Sequence, residues 1–153
     1  MDLNEMIHAS TAVVRAKVVS SRGGLRGADI YTYYQIQVEE NWKSSIPLQA
    51  EIAVPGGVAG GLRQMVAGAP ALNPGEEYVL FLWTSRSGLT QVIGLSQGLF
   101  KVGQNSTGVL VVTRPAAAEM MLDKSGNVVS DSAVVMTLAN LRTAVQNGSL
   151  GGK

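Results

Sequence analysis

Thr11-Ala12-Val13-Val14-Arg15-Ala16-Lys17-Val18-Val19-Ser20-Ser21, Arg22-Gly23-Gly24-Leu25-Arg26-Gly27 and Ile30-Tyr31-Thr32-Tyr33-Tyr34-Gln35-Ile36-Gln37-Val38 together decide the fold. In the first run Ala12, Val14, Ala16 and Val18 share one face, and Arg15 and Lys17 fall on the other. The third run alternates again: Ile30, Thr32, Tyr34, Ile36 and Val38 on the inward face, and Tyr31, Tyr33, Gln35, Gln37 and Glu39 on the outward one. Side chains alternate in this way only on strands. Two such runs around a glycine-rich segment predict an antiparallel hairpin. A turn centred near Leu25 predicts Lys17 opposite Tyr33 and Arg15 opposite Gln35.

The pattern continues outward from that hairpin. Leu48–Val54 reads as a third strand ended by Pro55. Tyr78–Trp83 is almost wholly apolar, as a strand buried on both faces must be. Leu89–Leu95, Leu99–Val102 and Val109–Thr113 follow, separated by turn residues. Asp123-Lys124-Ser125-Gly126-Asn127 reads as a hairpin-type turn between two short apolar runs. Asp2 and Glu5 have capping-box spacing before Leu3, Met6 and Ile7, which predicts a short helix over 3–9. Val134, Val135, Leu138, Leu141 and Val145 form an apolar stripe, which predicts a helix over 131–147. Ser130, Asp131 or Ser132 would cap that helix, and Gly148 would stop it. The fold class expected is mainly β: one antiparallel OB-like barrel domain spanning 1–153, with strands over 11–113 and a helix at each end. Its core should include Val14, Val18, Tyr34, Ile36, Val38, Val79, Phe81 and Ile93.

Composition narrows the function. The chain has 153 residues, enough for one domain with a real core. Charged residues are only 15% and the net charge is +1, so neither disorder nor a phosphate-backbone footprint is indicated. There is no cysteine and one histidine, which leaves no thiolate nucleophile and no multi-histidine metal set. No apolar run reaches the roughly 18 residues of a membrane helix. No cofactor is expected. The start, Met1-Asp2-Leu3-Asn4-Glu5, has neither a basic leader nor an apolar stretch. The absence of cysteine suits a reducing cytosol or a bacterial export protein equally.

Each string with chemical potential has a plainer reading. Gly94-Leu95-Ser96-Gln97-Gly98 has the spacing of a nucleophile elbow, and a serine hydrolase would have to combine Ser96 with His8. That elbow needs a strand-to-helix turn, whereas Leu99-Phe100-Lys101-Val102 continues as a strand. Glu39-Glu40 and Glu76-Glu77 are neighbours on strands and so point to opposite faces. Gly56-Gly57-Val58-Ala59-Gly60-Gly61 lacks the lysine and hydroxyl residue of a phosphate loop. Arg15 and Lys17 beside Tyr31 and Tyr33 would make a platform for single-stranded nucleic acid. Cross-strand cation–aromatic packing is the alternative.

Residues 55–75 are the compositional exception. Six glycines and three prolines fall there, and Arg63 is the only charge between Ile52 and Gly75. Leu62–Val66 could form a short strand within the segment. Loops this long are usually functional or contain an element of their own. A lone guanidinium in such a loop must be paired inside or presented outside.

Three strings carry a family resemblance. Ser10–Ser20 resembles the first barrel strand of netrin-like domains, the fold of the tissue inhibitors of metalloproteinases. Tyr33-Tyr34-Gln35-Ile36-Gln37-Val38 leading to Trp42-Lys43 resembles their second strand, and Pro74-Gly75-Glu76-Glu77-Tyr78-Val79-Leu80-Phe81-Leu82 is similar to a later strand and its turn. The resemblance implies an OB-like five-stranded barrel with flanking helices. The strings Pro55-Gly56-Gly57, Gly68-Ala69-Pro70 and Gly94–Gly98 also resemble a group of bacterial exported proteins. The animal inhibitors reach zinc through an N-terminal cysteine and carry many disulfides. This chain has neither, so that mechanism does not carry over. The resulting expectation is a non-enzymatic, exported binding module whose signal peptide is not part of this chain. Its contact surface would be the loop 55–75, with Arg63, Gly57, Gly60 and Gln64 as candidate partner-binding residues. Sparse charge there favours a protein partner over nucleic acid.

Overall fold

The computed structural model describes residues 3–44, 46–66, 69–94, 97–114, 121–122, 128–129 and 134–150. The chain opens with α1 (Leu3–Ala9), β1 (Ala12–Arg26), β2 (Asp29–Lys43) and β3 (Gln49–Pro55). Next come β4 (Gly57–Ala59), β5 (Leu62–Gln64), β6 (Glu77–Thr84), β7 (Thr90–Val92) and β8 (Leu99–Gln104). It ends with β9 (Leu110–Arg114), β10 (Met121–Leu122), β11 (Val128–Val129), β12 (Val134–Thr137) and α2 (Leu138–Leu150). Every strand pairing is antiparallel. The mainly β class with a helix towards each end agrees with the alternating pattern. No helix among the described residues is long and apolar enough to cross a membrane.

The main sheet runs β12-β9-β8-β6-β1-β2-β3, with β7 also paired to β6. β1 is the shared strand. Its first half pairs with β6 from Ala12 to Lys17, while its whole length runs against β2. Register shifts at Val13/Val14, Arg15/Ala16 and Val18/Ser20 bend it between those two partners.

Because β1 alternates, it feeds two cores. Ala12, Val14, Ala16 and Val18 pack with Tyr34, Ile36, Val38, Ile52, Val54, Leu80 and Leu82 inside the curl of the sheet. Val13 joins Trp42, Val79, Phe81 and Phe100 on the other face, which α1 and α2 cover through Met6, Ile7, Leu138, Leu141 and Val145. All eight core positions expected from the sequence are buried. Tyr78–Leu82 is buried throughout because both faces of β6 are covered.

Three expectations are corrected. The ladder does not close into a barrel: β3 and β12 are its ends, and among the described residues no hydrogen-bonded pairing joins them. β3 comes near β7, but β7 is three residues long and pairs only with β6. Leu72 and Ala69 help to fill the curl with side chains instead of another ladder.

The first hairpin is longer than expected. Gly23 and Gly24 continue β1, the last pair is Arg26↔Asp29, and the turn falls at Gly27–Ala28. Arg15 therefore faces Glu40, Lys17 faces Gln37 and Arg22 faces Tyr33.

Finally, the terminal helix is shorter at its start. Residues 134–137 form β12 against β9, and α2 begins at Leu138. Thr137 caps it by accepting a hydrogen bond from the Asn140 N–H at 3.1 Å. Gly148 lies inside this helix. Ser130, Asp131 and Ser132, the turn 123–127 and Asp2 lie outside the described residues.

Candidate partner-binding site

The 55–75 segment contains a small hairpin that its glycines and prolines concealed. β4 and β5 pair as Gly57↔Gln64, Val58↔Arg63 and Ala59↔Leu62. Gly60 and Gly61 form the two-residue turn, with φ of 57° and 77°. Both values are left-handed, which suits the turn that matches strand twist and favours glycine at both positions.

The hairpin lies across the far end of β1 and β2. Gly23 makes this possible, since a Cβ there would stand 1.8 Å from the Val58 carbonyl oxygen. Three hydrogen bonds fasten it. The Gly56 N–H donates to the Ile30 carbonyl at 2.8 Å, the Ile30 N–H to Gln64 Oε1 at 2.8 Å, and Thr32 Oγ1 to the Gly56 carbonyl at 2.9 Å. Gln64 is thus a structural tie. Gly57 is one as well: at φ 128°, a Cβ on it would meet Thr32 Oγ1 at 2.3 Å. Gly60 serves the turn, with Leu25 Cδ1 close by.

Arg63 is different. It is exposed, and no hydrogen bond or ion pair holds its guanidinium among the described residues. Arg63 borders a solvent-open cleft of ≈ 310 Å³ whose lining includes Tyr34, Val54, Met65, Val66 and Pro70. Tyr34 is buried while Met65 is 82% exposed, so the cleft runs from a core side chain to a free apolar rim. Leu25, Val58 and Leu62 are also more than half exposed on the two neighbouring hairpins. Scattered exposed apolar residues are ordinary; Val58 and Met65 among these also line the cleft. Arg63 and its loop are therefore brought together as a surface, while Gly57, Gly60 and Gln64 build the hairpin that carries it.

His8 is exposed on α1, with Nδ1 2.9 Å from the Asn4 carbonyl oxygen. Ser96 lies outside the described residues. The nucleic-acid platform is not assembled as expected, because the true register puts Arg22, not Arg15 or Lys17, over Tyr33 at 4.6 Å from the ring centre. Tyr31 and Tyr33 do lie side by side, with ring centres 6.3 Å apart.

Arg15 instead joins a charge network under α2. It bonds Glu77 and, at 2.8 Å, Glu40, while Arg142 reaches the same Glu40 oxygen at 2.9 Å. The guanidinium of Arg142 also lies over Trp42, whose Nε1 donates to Glu40 at 3.3 Å. Burial disfavours the Glu40 carboxylate, but hydrogen bonds from Arg15, Trp42 and Arg142 outweigh it, and the group titrates below its ordinary range.

A second, smaller recess of ≈ 170 Å³ lies among Asn73, Glu76, Tyr78, Lys101 and Thr113. Tyr78 Oη donates to Glu76 at 3.2 Å, and Lys101 pairs with Glu76 at 3.1 Å. Burial, with the Glu76 carboxylate beside it, raises the Tyr78 phenol above its ordinary range. Among the described residues no three histidine or carboxylate side chains gather as a metal site.

Reasoning from sequence missed the partner strand of Leu62–Gln64, although Gly60-Gly61 is a recognisable hairpin turn. It also missed the Arg15–Glu40–Arg142 network, whose members are far apart in sequence.

Compared with family models, curated proteins and solved structures, the chain matches none of them.

Proposed function

We propose that this protein is a non-enzymatic binding module that engages a protein partner through the β4–β5 hairpin and the cleft beneath it. The observation that carries this reading is Arg63, an exposed guanidinium without a partner among the described residues, on the rim of a cleft whose lining includes Val54, Val66, Ala69 and Pro70. A structural arginine is normally paired, as Arg15, Arg22 and Arg142 are. Aromatic, methionine and arginine side chains with little other charge are the usual makeup of an interface centre.

The proposal includes an OB-type, netrin-like kinship in partly open form. The long bulged β1 that serves two ladders, and the strand strings quoted above, support it. It also includes action outside the cytoplasm, supported by the likeness to exported bacterial proteins.

A photo-crosslinking side chain at position 62, introduced in the producing cell, tests the surface. A discrete adduct is expected from Leu62 and not from Gln37 on the exposed β2 face. The adduct should be lost when Arg63→Glu is added. Equal labelling from both positions, or an adduct indifferent to Arg63→Glu, would overturn the reading.

A further inference from the structure

Deepening that reading and resting on it, we infer that the cleft takes the C-terminal end of a partner polypeptide. The last side chain, an apolar one, would lie in the cleft, and the terminal carboxylate would pair with Arg63.

Charge comes first. Among the described residues, Arg63 is the only charged side chain lining the cleft. The side-chain oxygens of three other lining residues are engaged within the protein: Thr32 Oγ1 donates to the Gly56 carbonyl, Gln64 Oε1 accepts from the Ile30 N–H, and Tyr34 Oη accepts from the Leu72 N–H at 3.5 Å. One unpaired guanidinium complements a single carboxylate, which it can grip with two parallel hydrogen bonds. Phosphate would call for more cations than the site provides.

Size comes second. At ≈ 310 Å³ the cleft is at the small end of ligand sites, which span roughly 300–1,000 Å³. It suits one or two side chains and excludes an amphipathic helix. The walls formed by Val54, Pro55, Val66, Ala69 and Pro70 are apolar.

The arrangement of charge and walls then selects a chain end. Arg63 stands at the exposed rim and Tyr34 is buried below it. An internal Asp or Glu places its carboxylate at the tip of the side chain that would enter the cleft, where no cation waits. A C-terminal residue separates the two: its carboxylate stays at the backbone, level with the rim, while its side chain points inward.

The full chain, ¹⁵N-labelled, should be titrated with the pentapeptide Ac-Gly-Ser-Gly-Val-Leu bearing a free carboxylate, with its C-terminal amide, and with decanoate. The free acid should shift the amides of Gly57, Arg63, Gln64 and Val66 saturably. The amidated peptide should bind at least tenfold more weakly, as should the free acid to Arg63→Gln. Decanoate should bind more weakly than the free peptide. Equal binding of acid and amide, shifts confined to other regions, no shifts, or tighter binding of decanoate would each overturn the inference. Loss of peptide binding with a surviving Arg63-dependent adduct at position 62 would remove only the chain-end assignment. Failure of both would remove the contact surface itself.

Discussion

Gly23→Ala should lift the β4–β5 hairpin off the body of the protein while leaving both cores assembled. The added methyl would stand 1.8 Å from the Val58 carbonyl oxygen and 2.9 Å from its carbon. These are backbone atoms of β4, so no side-chain rotation relieves the overlap. Forcing a methylene-sized group into packed structure costs about 1–3 kcal/mol. The cost has a ceiling, because the hairpin can let go. Its attachment rests on three hydrogen bonds, through Gly56, Ile30 and Thr32, each contributing about 1 kcal/mol net. Val58 and Leu62 are mostly exposed and add little buried area. Detachment therefore costs at most about 3 kcal/mol, and Tm should fall by no more than about 6–12 °C for a chain of this size. The sharper readout is hydrogen exchange at the Ile30 amide, which donates to Gln64 Oε1. Its exchange should quicken by roughly a hundredfold, at about 1.4 kcal/mol per decade. Amides of Val79 and Phe81 should keep their high protection relative to it. Gly103→Ala is the control, since a Cβ there meets nothing within 4 Å. Unchanged Ile30 exchange in Gly23→Ala would refute the docking of the hairpin on β1.

Other outcomes follow from the same contacts. Glu40→Gln should cost about 1 kcal/mol after allowing for solvent screening, and loosen α2 as seen by exchange in residues 138–145. Because the Glu40 carboxyl titrates lower when folded than when unfolded, its stabilisation is present above about pH 4.3 and fades as pH falls through the folded value. Urea midpoints of the wild type should drop over that window, and those of Glu40→Gln should drop less; parallel curves would contradict the network. Gly148→Ala, ordinarily favourable within a helix by about 1 kcal/mol, should instead destabilise, because its Cβ would lie 2.8 Å from Ile7 Cγ2 on α1. A raised Tm would show that the two helices are not in contact there. Phe81→Ala, at a fully buried site against Phe100, should cost about 3–5 kcal/mol in chemical denaturation.

The sequence disclosed the strands because burial on alternate sides leaves a period-two trace, as in Val14, Val18, Ile36 and Val38. It disclosed β6 because a strand covered on both faces loses its polar positions. Register was not legible. Gly23 and Gly24 look like turn residues, yet both continue β1; a Cβ on Gly23 would strike the β4 backbone, and one on Gly24 would strike the Tyr33 ring. That shift of the turn moved Arg15 from a presumed surface platform to its bonds with Glu40 and Glu77. Open versus closed topology was equally hidden, since alternation reports faces and says nothing about which edges meet. The terminal helix was overextended because Val134 and Val135 fit a helical stripe as well as a strand, and pairing with Arg114 and Thr113 settles which. At the site, Arg63 stood out by composition alone. The roles of Gln64 and Gly57 depend on Ile30 and Thr32, distant residues that local pattern does not link to them.

Arg63 is presented for contact and not held for stability if the proposed binding role is right. The direct measurement is calorimetric affinity for the partner captured at position 62, taken with wild type and Arg63→Gln alongside their melting temperatures. Affinity at least tenfold weaker at an unchanged Tm is the predicted result. Undiminished affinity, or a large fall in Tm, would make the guanidinium a structural tie and contradict the binding role assigned to the hairpin.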